Sequence, residues 1–250
     1  MHVVRPEYRP DSTLTRSEMT ALQHRIAEAA TFTDEVSFPT DPLPTGSDAP
    51  VVVGVDQAFL DDRAISAIVA TKGGEIVERV HAITPLSIPY IPGLLAFREG
   101  EPILEAFARL SVVPDVALFD GSGRIHFRQA GIATHVGVLL DLPSVGVAKR
   151  LLCGTPLDPP AEPFPVGTRV PIVADGRVDA PDGTLLGYAV QTKQYDSGSR
   201  YVNPLYVSPG HRVCAETAAD LVLACTGEYK LPEPIRLADR YAAELKETVG

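Results

Sequence analysis

Two aspartates stand directly after continuous apolar runs. Asp56 follows Val51-Val52-Val53-Gly54-Val55, and Asp120 follows Val116-Ala117-Leu118-Phe119. Runs apolar on both faces suit central strands, and a strand end holds a carboxylate rigidly at the sheet edge. Two such ends side by side can aim two carboxylates at one cation. Mg²⁺ takes one or two carboxylates and keeps its other positions for water and substrate phosphate. A single Asp in this setting is more often a solvated turn residue, so the repetition of the pattern carries the chemical reading. Glu99 offers a third acid, downstream of the stiff segment Pro89-Tyr90-Ile91-Pro92. Its plainer reading is a solvated Glu at a helix start, where the macrodipole favours it.

Groups able to meet a phosphate follow Asp120, in Gly121-Ser122-Gly123-Arg124-Ile125-His126-Phe127-Arg128. Gly121 and Gly123 permit close approach of a backbone or a phosphate, though a Gly-rich turn is common. Lys149, after the strand-like Pro143-Ser144-Val145-Gly146-Val147, is a cation able to neutralise phosphate charge, or else a surface lysine. His211, in Val207-Ser208-Pro209-Gly210-His211, reads as a residue at a helix start. Such sites favour anions, and a histidine there can transfer protons. His135, inside an apolar helix, reads as a core or supporting histidine. The sequence holds no Gly-x-Ser-x-Gly elbow, no His-Glu-x-x-His and no Gly-rich phosphate loop after a strand.

The elements that must position these groups follow from hydrophobic spacing. Thr15 to Ala30 reads as a helix, with Thr15 and Glu18 as a capping box. Residues 31–50 read as loop. Strands over 51–55, 64–71 and 75–83 form a meander turning at Lys72-Gly73-Gly74. A helix over 102–110, a strand over 116–119, a helix over 132–140 and a strand over 143–147 come next. Residues 151–185 read as short strands in loops, and 186–192 as a strand. Helices are expected from Ser208-Pro209 to Cys225 and from Pro234 to about Glu247. Three antiparallel strands followed by helix, strand, helix, strand outline an α/β fold, the ribonuclease-H-like mixed sheet flanked by helices. One domain over 1–250 is expected, with an N-terminal helix and loop over 1–50 and a catalytic core over 51–248.

Hydrophobic residues make up 45% and charged residues 22%, which suits a chain that buries a core and excludes a disordered one. No apolar run is long enough to span a bilayer, and the first residues lack a secretory h-region. Three scattered cysteines, Cys153, Cys214 and Cys225, make neither a disulfide framework nor a zinc site, so a reducing cytoplasm is the expected compartment. A net charge of −10 argues against bulk electrostatic binding of nucleic acid. It leaves room for an enzyme whose carboxylates hold cations against a phosphodiester.

Five stretches, taken in order, resemble the endonuclease V family, the deoxyinosine 3′ endonucleases. They are GVD at 54–56, PYIPGLLAFRE at 89–99, FDGSGRIHFRQAGIATHVGVLLDLPSVGVAK at 119–149, YVSPGH at 206–211 and LPEPIRLADR at 231–240. The resemblance implies a ribonuclease-H-like fold and Mg²⁺, with Mn²⁺ able to substitute. It also implies hydrolysis of DNA at the second phosphodiester 3′ to deoxyinosine, leaving 3′-hydroxyl and 5′-phosphate ends. On this resemblance Asp56 and Asp120 are the principal metal ligands and Glu99 completes the acidic site. His211 matches a catalytic-site histidine, Lys149 and His126 match residues lining the scissile phosphate, and Tyr90 matches a wedge between Pro89, Ile91 and Pro92. Gly121, Gly123, Arg98, Arg124 and Arg128 join the expected DNA-binding set. The chain departs from the family in His126-Phe127-Arg128, where the family usually has His-Pro-Arg, and at Ser122. A monomer acting on deoxyinosine DNA without a membrane partner is expected. The alternatives are inosine in RNA, a non-catalytic nucleic-acid binder and a hydrolase of small phosphate esters.

Overall fold

The structure is a computed structural model that describes residues 1–86, 88–89, 91–195 and 201–249. Helix α1 (Arg16–Ala29) is followed by strands β1 (Val51–Leu60), β2 (Arg63–Lys72) and β3 (Glu75–Pro85), then α2 (Leu95–Ala108), β4 (Val116–Asp120), α3 (Ile132–Leu140) and β5 (Ser144–Ala148). The second half holds β6 (Thr155–Pro156), β7 (Arg169–Val173), β8 (Leu185–Val190), β9 (Leu205–His211), α4 (Ala215–Ala224) and α5 (Glu233–Val249). One mixed sheet runs in the order β3-β2-β1-β4-β5-β9-β8-β7-β6. Its first five strands, with β2 antiparallel to its neighbours and β1, β4 and β5 parallel, form the ribonuclease-H-like arrangement.

Alternation along the strands divides the core into two layers. Val53, Val55, Ala117 and Phe119 pack with α2 and α3 on one face. Val52, Val116, Leu118, Val145 and Val147 pack with α4 and α5 on the other. A third cluster lies under β7 and β8. A fourth joins α1, whose Thr15–Glu18 capping box forms as expected, to Leu94, Phe97 and Val138.

Three elements differ from the sequence expectation. β1 continues through Asp56 to Leu60, because Gln57 to Leu60 pair with Ser66 to Arg63 across a tight turn. Helix α2 begins at Leu95 rather than Pro102, so Pro102 sits inside it. Its two buried flanks outweigh the roughly 3 kcal/mol that an internal proline costs. Ser208-Pro209-Gly210-His211 is strand β9 rather than a helix start, and the following helix begins only at Ala215.

Candidate active site

Val55 and Phe119 are partners across the parallel pair β1–β4, so Asp56 and Asp120 are the next residues along on neighbouring strands. Adjacent strands lie about 4.8 Å apart. By alternation both carboxylates fall on the rows that face α5, beyond Val52 and Leu118. Helix α5 brings Asp239 to this point, where its carboxyl group faces that of Asp56 and helps to hold it protonated. Glu99 arrives from the other layer, on the second turn of α2. Asp56, Glu99 and Asp120 open into one cavity of about 210 Å³, floored by Val55, Ile103, Phe119 and Ile132.

Gln57 sets the distance between the two layers. Its backbone N–H donates to Asp56 Oδ1 at 2.8 Å, while its Nε2 donates to the Glu99 carbonyl at 3.1 Å and to Ser66 Oγ. Lys149 follows β5 and donates from Nζ to Asp120 Oδ2 at 2.6 Å. Burial pulls the Lys149 ammonium down, and the hydrogen bond and charge of Asp120 more than reverse this.

Crowding shows in the acids. Burial, then the charge of Asp120, pushes the Asp56 carboxyl up to about 8, with Asp239 adding to the shift. Burial raises Glu99 to about 7; the Arg98 charge opposes the shift and Asp120 adds to it. A cluster whose members resist ionising beside one another fits a bound cation, which would remove the repulsion. Among the described residues no group of three or more His, Cys, Asp or Glu side chains is already drawn together as for a bound metal ion.

Several residues expected at the site are elsewhere. His211 pairs with Ser144, three residues along β5 from Val147, the partner of Asp120, and is therefore about 10 Å away along the strands. It is 1% exposed, accepts from the Thr31 N–H at Nδ1 and meets Asp141 at Nε2. Burial lowers its pKa against the pull of Asp141. His211 thus fastens the ends of α1 and α3 and is not brought to the carboxylates. His126 is also buried, and burial with the Arg128 charge lowers it to about 3, so it is neutral and offers no cation to a phosphate. His135 is the core histidine expected, stacked edge-on against Phe97.

Arg124 stacks over Phe32 and donates to Gln129, and Arg128 donates to Gln23 and to the Gly93 carbonyl, so both are structural ties rather than a free basic groove. Arg98 lies over the Phe59 ring. Gly121 and Gly123 do allow close approach, but of the protein itself: a Cβ on Gly123 would stand 2.3 Å from the Pro209 carbonyl, and one on Gly121 would stand 2.5 Å from Ile132. Ile91 packs onto the α1 cluster, while Pro89 and Pro92 are exposed. Tyr90 lies outside the described residues. Behind this segment the Gly93 carbonyl receives Gln23 Nε2 at 2.8 Å as well as Arg128, so α1 anchors the loop. Sequence reasoning missed Gln23, Gln57 and Asp239. Asp239 had a signal, since it lies four residues after the buried Ile235 and next to the buried Ala238 on the sheet-facing side of α5.

Comparison with known proteins gives one answer. The family model for endonuclease V matches residues 37–240. The endonuclease V of Natronomonas pharaonis is 60% identical over 250 residues, covering 100% of this chain and 99% of that protein. The crystal structure of endonuclease V from Streptomyces avermitilis is 34% identical with a TM-score of 0.79, covering 97% of this chain and 99% of the other. Endonuclease V of Ciona intestinalis, crystallised with a 24mer DNA containing an inosine followed by a ribo-adenosine, is 25% identical with a TM-score of 0.74, covering 94% and 98%. With paired carboxylates on β1 and β4, this fold and relatives matched end to end, the chain belongs to the endonuclease V family of metal-dependent nucleases.

Proposed function

We infer that the chain nicks DNA at the second phosphodiester bond 3′ to deoxyinosine, leaving 3′-hydroxyl and 5′-phosphate ends, with Mg²⁺ as its cation and Mn²⁺ able to substitute. The observation that carries this reading is the side-by-side placement of Asp56 and Asp120, joined by Glu99 and Asp239 from the two layers. Asp56 and Asp120 would hold the cation, with Glu99 and Asp239 beside it completing the acidic site. When bound, it supplies Lewis-acid polarisation of the phosphate and a more acidic water. Lys149 places a full positive charge beside Asp120, where the phosphate must come. The burial of the apolar floor strengthens these charges by excluding water. The co-crystallised inosine strand of the Ciona relative supports the substrate class. We read the protein as one domain and a monomer working in a reducing cytoplasm, consistent with free Cys153, Cys214 and Cys225. No described helix is long and apolar enough to cross a membrane.

The test is incubation with a deoxyinosine duplex and Mg²⁺, with the nick mapped at nucleotide resolution. Cleavage at any other bond overturns the assignment. Faster cleavage of a matched inosine RNA strand would move the activity to RNA.

The raised acids give a pH dependence. A cation must displace the protons held by Glu99 near 7 and Asp56 near 8. At sub-saturating Mg²⁺, nicking should rise by up to about tenfold per unit for each proton displaced below pH 7 and level off as the pH passes 7 to 8. More Mg²⁺ should move the rise to lower pH, and a flat profile overturns the assignment. The stability sign is the opposite. The unfolded acids titrate near about 4, so the folded metal-free protein holds extra protons. Its stabilisation is complete below about 4 and is lost as pH rises through 7 to 8. Thermal melts without metal from pH 5 to 8.5 should show this decline, and Asp56→Asn should flatten it.

Tyr90 is proposed as the wedge. Extruding a base from a duplex costs a few kcal/mol, and an aromatic inserted into the gap offsets part of that cost. Pro89 and Pro92 restrict the backbone around it, so little entropy is lost on insertion. Tyr90→Ala should lower duplex cleavage roughly tenfold or more, and single-strand cleavage far less. Equal losses on the two substrates at unchanged Tm would end the wedge reading.

A further inference from the structure

We propose that two amides, Gln23 on α1 and Gln57 on β1, seat the first turns of α2 and thereby hold the Glu99 carboxylate beside the cation of Asp56 and Asp120. Both act through Glu99 and are positioning residues. This rests on the cation-dependent reading above and adds what fixes its third acid in place.

Helix α2 does little to fix its own start. Leu94, the N-cap, makes no side-chain cap bond, and the first turn carries no acid. Pro102 has no N–H to give the Arg98 carbonyl one turn back, and its ring crowds that carbonyl. Glu99 therefore rides on a stretch of helix that is uncapped before it and interrupted after it. Its carboxyl gains nothing from the cavity by itself, since burial raises its pKa there. Other elements must hold the backbone against the acids.

Gln23 holds the near end. Gly93, just before the N-cap, has a φ of 78°. Its carbonyl accepts from Gln23 Nε2 at 2.8 Å and from Arg128 at 3.2 Å. Gln23 is 1% exposed, and its Oε1 accepts from Arg128 Nε at 2.6 Å. A guanidinium only donates and a carbonyl only accepts, so an uncharged amide suits the place between them. A carboxylate there has no donor for Gly93, and an ammonium has no acceptor for Arg128.

Gln57 holds the far end, at Glu99 itself. The two hydrogens on its Nε2 go to Ser66 Oγ and to the Glu99 carbonyl, the latter at 3.1 Å. Ser66 is its partner across β1–β2 and is fully buried, so the amide is tied to the sheet before it meets α2. The backbone N–H of the same residue orients Asp56 Oδ1 at 2.8 Å. Its main chain thus holds one carboxylate of the cavity, and its side chain holds the backbone that carries another. Outer partners of this kind set metal affinity without ligating the metal.

The test is Mn²⁺ affinity of the full chain without DNA, by calorimetry, beside the Mg²⁺ dependence of nicking. Gln57→Leu should weaken Mn²⁺ binding roughly tenfold. It should raise the Mg²⁺ needed for half-maximal nicking by the same factor, with the rate at saturating Mg²⁺ retained. Glu99→Gln should also weaken Mn²⁺ binding, and in that background Gln57→Leu should cost nothing further. Gln23→Met should act in the same direction by a smaller factor, again only while Glu99 is present. Gln57 is partly exposed, so its arm decides the matter if Gln23→Met lowers the Tm. Unchanged Mn²⁺ affinity in Gln57→Leu, or a loss that persists in full without the Glu99 carboxylate, overturns the proposal. Wild type is the control: no Mn²⁺ binding and no metal-dependent nicking there overturns the cation reading itself, whereas a metal-dependent wild type matched by Gln57→Leu overturns only the seat.

Discussion

Asp56→Asn and Asp120→Asn should each lower Mg²⁺-supported nicking by about a thousandfold, the rate equivalent of several kcal/mol of transition-state stabilisation. Each change keeps side-chain shape and removes one negative charge from a cavity of about 210 Å³ in which acids already repel one another. The metal-free protein should therefore become more stable at pH 8, not less. One kcal/mol of relief corresponds to a Tm rise of about 2–4 °C in a chain of this size. The two variants should differ in a second respect. Asp120→Asn releases Lys149, which is 50% exposed and bonded to Asp120 at 2.6 Å, so this variant should bind a deoxyinosine duplex more tightly than Asp56→Asn does without metal. Nicking rates, melting curves and binding isotherms on the same preparations check all three. Substantial nicking by either variant at ordinary Mg²⁺ would remove Asp56 and Asp120 from the metal site.

The central half of this fold was legible because its strands are apolar on both faces and its turns carry glycine. Val51 to Val55, Val116 to Phe119 and the Lys72-Gly73-Gly74 turn led to the strand order found around β1 and β4. The errors share a cause: local signals were overruled by pairing or packing that sequence spacing does not show. Asp56 looked like a strand end because the apolar run stops there, but antiparallel pairing with β2 tolerates a carboxylate that points into a cavity. Pro209 looked like a helix start because a proline lacks the N–H that a central strand needs. The register shift between Ser144 and Val145, opposite Pro209, is the irregularity that accommodates it. That error carried His211 with it, since the anion-binding argument required a helix that is not there. At the site the acids of the apolar strands were found from type and spacing, whereas Gln57, Asp239 and Gln23 were not. Their roles depend on which layers meet: Gln57 bridges β1 to α2, Asp239 enters from a helix almost two hundred residues downstream, and Gln23 reaches Gly93 from α1.

Gly54→Ala should unseat α5 and reduce both stability and activity, although residue 54 touches no substrate. A Cβ at this position would lie 2.0 Å from the carbonyl carbon and oxygen of Pro234 and 2.5 Å from the Ile235 nitrogen. These are backbone atoms at the start of α5, so no rotamer change relieves the clash and the helix must move outward from β1. Overpacking of a core typically costs about 1–3 kcal/mol, and a backbone clash this close belongs at the upper end. With about 2–4 °C per kcal/mol, the Tm should fall by roughly 6–12 °C. The cost to catalysis should exceed what unfolding explains. Asp239 lies one and a half turns along the same helix from Pro234, so a displaced α5 carries it away from Asp56. Nicking measured well below the lowered Tm should therefore still fall by about tenfold or more, since a shift near 1 Å at a catalytic group has large effects on rate. Gly176→Ala is the control, because a Cβ there meets nothing within 4 Å and its backbone needs no positive φ. It should change stability by less than about 0.5 kcal/mol and leave nicking unchanged. If Gly54→Ala matched Gly176→Ala in both measurements, the contact between β1 and α5 would not be what holds Asp239 at the site.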